Sequence, residues 1–598
     1  MCGIAGILAY APGAPNVDAE ELLRIRERMV ARGPDGAGLW LSDDQRVALA
    51  HRRLSIIELS AAGAQPMLDP ETGNQIVFNG EIYNHARLRK ELQREGVVVR
   101  SHSDTEVLLK LYARHGAAML GRLRGMFAFA IWDASRRSLF MARDAFGIKP
   151  LYVADDGRSL RFASQVKALL TGQVDTRPEP AGHAGFLLWG SVPEPFTLYR
   201  GIRALPPGHW LQVVDGRVRE PVCFDSPRQA LRDVGQATGA DVNEALQRIA
   251  AAVDDSVAAH MVADVEVGVF LSAGLDSTML AAAAAHRGTL QTLTLGFEEY
   301  AGGPFDEAAL AADVAGTLKT RHQLHRIAAA DFAADREALL DAMDQPSIDG
   351  INTWFVAKAA ARQGLKVVLS GIGGDELFGS YPSFAQVPRL AHHLRGFASV
   401  PRLGQAMRLG LAPFARLLPS PKYAGLAEYG GTLGGAYLLR RSLHMPWELA
   451  SVMDRDMAAE GLRALDTQHR LADSIDGLRS PRLAVSALEM QWYMRNQLLR
   501  DADWAGMAHS LEIRVPFVDT TLLRGLVELP ELSAAQEKRT VARAVAPELP
   551  EAVLNRPKTG FAVPIHQWLN PGAAMTAGNH RGWARQLYQR FTREPVAA

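Results

Sequence analysis

Cysteine is nearly absent: Cys2 and Cys223 are the only two in 598 residues. No disulfide framework can therefore hold the fold, and a reducing compartment is expected. No apolar run approaches the ~18 residues of a membrane span, and no basic start followed by a long apolar core marks a signal peptide. An excess of either charge is missing too, since 65 Lys and Arg offset 65 Asp and Glu. That balance leaves no global field to recruit nucleic acid or an anionic membrane. These absences predict a soluble cytoplasmic protein with neither as a partner. With 48% hydrophobic residues, the chain has enough apolar side chains for two to four domains.

Residues 2–210 carry short β-rich runs broken by Gly, Pro, Asn and Asp, such as Gln75-Ile76-Val77-Phe78 and Met126–Trp132. Helical patterns near Glu20–Arg32 and Thr105–His115 make this part α+β in layers. The polar stretch 211–240 is expected to be a linker. From 241 to 598, apolar strands (Val265–Leu271, Thr292–Leu295, Lys366–Leu369) alternate with helices (Met279–Ala285, Ala308–Ala315, Trp354–Arg362). Such alternation predicts a parallel sheet with helices on both faces. After Pro382 the pattern is mostly helical.

Two features carry chemistry. Removal of Met1 would leave Cys2 with both a thiol and an α-amine, and the amine titrates near ~7.7–8.0. One residue can then supply a nucleophile and the base that activates it. In the other half, Ser272-Ala273-Gly274-Leu275-Asp276-Ser277 runs from strand through loop to helix. Small residues there let backbone N–H groups and a helix N-terminus approach a pyrophosphate, with hydroxyls of Ser272 and Ser277 as further donors and Asp276 as a magnesium ligand. A second loop, Ser370-Gly371-Ile372-Gly373-Gly374-Asp375-Glu376, leaves another strand and resembles a metal-holding turn.

The first of these loops resembles that of the ATP pyrophosphatases. Together with Cys2, the chain resembles the glutamine-hydrolysing asparagine synthetase family from end to end. The motifs that carry the resemblance include Arg32-Gly33-Pro34-Asp35, His51–Ile56, Asn79-Gly80-Glu81-Ile82-Tyr83-Asn84, Ser103-Asp104-Thr105-Glu106, Met507–Phe517 and Arg556–Phe561. The resemblance implies an N-terminal-nucleophile hydrolase fold followed by an ATP pyrophosphatase domain. Cys2 would attack the glutamine amide, Asn79 and the Gly80 N–H would form an oxyanion hole, Arg53 would take the α-carboxylate, and Glu81 and Asp104 the α-ammonium. Leu271 and Leu295 would pack the adenine, Ser370 and Gly371 would border the nucleotide, and Asp276 and Asp375 would hold Mg2+. Lys558 would neutralise charge as pyrophosphate leaves. The cofactors implied are ATP and Mg2+, the substrates glutamine and a carboxylate acceptor, and the assembly a homodimer.

The sequence departs from the family at Ala273, at Gln165, and at Ile372, where an acidic residue is usual. Ser347-Ile348-Asp349-Gly350 also differs from the stretch that handles aspartate in some members. L-Aspartate is the first acceptor expected. The alternative, favoured by Ile372 and Asp349, is another carboxylate such as a sugar acid, peptide or natural-product intermediate. A catalytically silent scaffold is the third reading, and the retained nucleophile and carboxylates oppose it.

Overall fold

The computed structural model describes residues 2–232, 242–398, 400, 402–411, 418, 420–527, 537–556, 563–569 and 580–593. Directly after Cys2, the apolar run Gly3–Ala9 forms a strand buried along its whole length. It lies antiparallel between Val47–Arg53 and Ser159–Ala163. A second antiparallel sheet places Gln75–Ile82 beside Gly125–Asp133, followed by Ser138–Arg143 and His209–Val214. The two sheets face one another: Ile4, Leu8, Leu49 and Phe162 meet Val77, Ala130 and Met141 in one core. Their outer faces are covered by helices, Ala19–Glu27 on the first and His85–Arg94 with Asp104–His115 on the second. The result is a four-layer stack, helix–sheet–sheet–helix, that seats the start of the chain at its centre.

One local preference is overridden and one expectation needs correction. Asn79-Gly80, a strong hairpin-turn pair, does not turn; it continues the strand Gln75–Ile82, because eight successive residues pair with Gly125–Asp133. The stretch 211–240 is not simply a linker: Leu211–Val214 pair with the second sheet and Pro227–Arg232 form a helix. Its polar punctuation marks tight turns between short edge strands. Residues 233–240 of that stretch lie outside the described residues.

The second half contains a five-stranded parallel sheet, in the order Arg321–Ile327, Gln291–Phe297, Val267–Phe270, Val367–Leu369, Glu512–Arg514. The chain starts at Val267–Phe270 and builds outward to one side, then returns to build on the other. The order therefore reverses between Val267–Phe270 and Val367–Leu369, where ligands of such sheets bind beyond the carboxyl ends. The loops Leu271–Gly274 and Ser370–Gly373 both emerge at that crevice. Beyond it the chain is helical and includes a π-helix, Glu489–Leu499, a wide-turn form that often marks functional sites.

Candidate active site

Cys2 is buried at the mouth of the first strand. Its thiol lies 4.0 Å from the Leu54 carbonyl, and its backbone nitrogen donates to Asn79 Oδ1 at 3.0 Å. Asn79 is fully buried, and its Nδ2 has no hydrogen-bond partner. An unpaired buried amide donor is costly to keep, and this one belongs to the side chain that contacts Cys2. Gly80 follows where the strands close tightly: a Cβ there would stand 2.1 Å from the Met126 carbonyl oxygen. Burial pushes the Cys2 thiol up, and the charges of Glu81 and Glu512 push the same way.

The residues expected to hold glutamine are placed less simply. Arg53 donates from Nη1 to the Ser60 carbonyl at 2.8 Å and from Nη2 to that of Glu58, shaping the loop 58–63. Asp104 opens the helix Asp104–His115 and accepts from the Ile82 N–H at 3.0 Å. Glu81 turns toward the synthetase half, with Oε1 3.4 Å from Arg514 Nη2. Burial and the neighbouring Glu512 raise Glu81 well above the usual carboxylate range, against the pull of Arg514.

Sequence reading assigned no role to the ionic layer behind this site. Arg32 is 1% exposed; its Nε donates to the Cys2 carbonyl at 3.1 Å, and its two terminal nitrogens grip Asp503 at 2.6 and 3.0 Å. Arg514 likewise pairs with Glu512 at 2.6 Å. Arg32 stood in a quoted motif, but its partner lies 471 residues away, beyond any local signal.

In the second half, a cavity of about 280 Å³ opens at the switch point. Leu271, Ser272, Gly274, Asp276, Ser277, Leu295, Ser370 and Gly371 line it together. The helix Leu275–Ala285 begins there with no side-chain cap, so its first N–H groups and dipole face the cavity. The serine hydroxyls bond within the loop, Ser272 Oγ to Ser277 Oγ at 2.9 Å, which fixes the loop shape. Gly374 is required by proximity, because a Cβ there would lie 2.1 Å from Asp276 Oδ1.

Asp276 and Asp375 converge on one cation, the Lys538 ammonium, which bonds both. Burial opposes the charge of Lys538, yet the two carboxylates raise its pKa. Lys538 went unnoticed in the sequence, where only Glu537-Lys538-Arg539 before a helix could have signalled it. A pair of hard oxygen donors meeting at one positive centre suits Mg2+, which binds through one or two carboxylates plus phosphates and waters. Lys558 lies outside the described residues.

The remaining cavity wall carries Asp349, Asn352, Thr353, Ile372, Leu498 and Asp501. Among the described residues lining it there is no Lys, Arg or His. Asp501 is held by Trp504 Nε1 at 2.7 Å and Ser347 Oγ at 2.8 Å. Burial, then the charge of Asp349, pushes it up to about 8.

A stacked-sheet half with a buried terminal-side cysteine and a parallel-sheet half with a phosphate-type loop define a two-centre, glutamine-hydrolysing ligase. Two family models match accordingly: "Glutamine amidotransferase domain" over residues 1–223 and "Asparagine synthase" over residues 248–589. The chain belongs to the asparagine synthase family. It is 35% identical to a putative glutamine-hydrolysing asparagine synthetase of Mycobacterium bovis, over 96% of this chain and 89% of that one. It is 32% identical to asparagine synthetase 1 of Bacillus subtilis, over 98% and 90%. It is also 27% identical to "Amidase chry2" of Gibberella zeae, over 96% and 90%. Among the described residues, no helix is long and apolar enough to cross a membrane.

Proposed function

We propose that Cys2 releases ammonia from glutamine and that the second half joins it to a carboxylate activated by ATP. The observation that carries this reading is the Asn79 amide, which accepts from the Cys2 nitrogen and keeps a buried Nδ2 without a partner. With Met1 removed, that nitrogen is an α-amine able to take the thiol proton. Sulfur adds to the glutamine side-chain carbonyl, Asn79 Nδ2 and the Gly80 N–H receive the oxyanion, and the proton passes to departing ammonia. Water then cleaves the thioester, giving glutamate and restoring the thiol.

At the cavity, the Leu271 and Leu295 side chains pack the adenine. Ser370 and Gly371 border the nucleotide, and the uncapped helix start receives its phosphates. Asp276 and Asp375 would hold Mg2+, which supplies charge neutralisation when bound. An acceptor carboxylate oxygen attacks the α-phosphorus and pyrophosphate leaves; Lys538 and Lys558 offset its charge. Ammonia attacks the acyl carbon and AMP departs with the bonding pair, leaving an amide.

The acceptor expected first is L-aspartate. One observation favours a different carboxylate: the wall beside Ile372 presents Asp349 and Asp501 and no described cation. The second carboxylate of aspartate would find no described cation to pair with there, whereas an acceptor bearing donor groups would be matched by the two carboxyl groups. Pyrophosphate release with ATP, glutamine and a panel of carboxylic acids tests this. Release with aspartate alone supports asparagine synthesis, and release only with another acid supports the alternative. Cys2→Ala should abolish glutamine use and spare ammonia-driven release; loss of both in a folded variant would contradict the two-centre scheme.

A further inference from the structure

The nine-residue helix Leu403–Leu411 presents its apolar side to water. Gly404 faces the protein, where a Cβ would stand 2.4 Å from the Cα of Glu428. Arg408, one turn on, also points inward: its guanidinium pairs with Glu428 at 2.5 Å and lies 4.8 Å from the Trp447 ring centroid. At about 100° per residue, the outward arc falls to Leu403, Ala406, Leu409 and Gly410, flanked by Gln405 and Met407. Leu409 is 58% exposed, and Leu403, Met407 and Leu411 are each 39% exposed. This reverses the arrangement of a helix on a soluble surface.

The surroundings supply the charge. Residues 377–427 contain no Asp or Glu, yet include the exposed Arg389 and Arg402, in a chain whose totals balance. Arg402 is exposed at the start of this helix, and Arg389 and Arg395 are exposed on the adjacent helix Ser383–Ala398.

We propose that this face docks on an anionic lipid bilayer. Leu403, Met407 and Leu409 enter the headgroup boundary while Arg389 and Arg402 meet lipid phosphates. Charge complementarity selects this occupant. Two-fold pairing with a second copy would set Arg389 and Arg402 against themselves, with no carboxylate from residues 377–427 to answer them. A nucleic acid would press phosphates against the leucines. The helix lies along the surface, so the proposal needs no membrane span.

The test is co-sedimentation of the full chain with vesicles of phosphatidylcholine alone or mixed with phosphatidylglycerol, alongside its mass in solution. Binding to the anionic vesicles only, weakened by salt, is expected. Leu403→Glu/Leu409→Glu should abolish it, and Arg389→Gln and Arg402→Gln should each weaken it about fivefold. Glutamine hydrolysis in solution should be unchanged, because none of these residues touches either centre. No binding, equal binding to neutral vesicles, or binding indifferent to these substitutions would overturn the proposal. A dimer that falls to monomer in Leu403→Glu/Leu409→Glu, without vesicle binding, would also overturn it by assigning the face to a second copy.

Discussion

Asn79 is a residue whose two amide atoms face different tasks. Oδ1 holds the Cys2 nitrogen while Nδ2 is left for a developing oxyanion. Asn79→Ala should lower kcat for glutamine hydrolysis by about 10²–10³ and leave ammonia-driven pyrophosphate release intact, as paired assays of glutamate and pyrophosphate would read. Asp501 gives a pH prediction. Its folded pKa of about 8 stands above an unfolded value near ~3.9. Between those values the folded chain keeps a proton that the unfolded chain has released, so stability falls as pH climbs through the window. Asp501→Asn removes that dependence. Its melting temperature should match the parent near pH 4 and exceed it by a growing margin toward pH 8.

At the scale of elements, the loop Ser370–Gly373 and the start of the following helix are built against Asp276. Gly374→Ala would force its Cβ into that carboxylate and should cut pyrophosphate release about a hundredfold, the effect of roughly 1 Å of misplacement. Basal glutamine hydrolysis should persist, and assaying both products separates the outcomes. These loops were legible because their signal is local: glycines, serines and carboxylates within a few residues of an apolar strand. Two strands of the same sheet were not legible. Arg321–Ile327 is polar and largely exposed at the sheet edge, so neither alternation nor an apolar run marks it. Glu512–Arg514 is fully buried yet bears two charges, and only its partnered ions explain that burial. Asn79-Gly80 misleads for a related reason, since pairing along a whole strand outweighs the preference of a dipeptide.

At the scale of the molecule, the halves are fastened by buried charge. Arg32 grips Asp503 across the boundary while holding the Cys2 carbonyl. Arg32→Met should cost about 3–5 kcal/mol by stranding Asp503, seen as a lowered melting temperature. Arg32→Met/Asp503→Leu should recover most of that loss, because an apolar pair of similar volume leaves no charge unpaired. The fold class of each half could be read from periodicity and motif, but this fastening could not, since its members are hundreds of residues apart.

Its consequence reaches protein engineering. A glutaminase whose innermost guanidinium finds its counter-ion in another fold is no free-standing cassette. Grafting residues 2–232 onto a foreign acceptor enzyme would succeed only if the host brings a carboxylate to the place of Asp503, or if Arg32 is made apolar first.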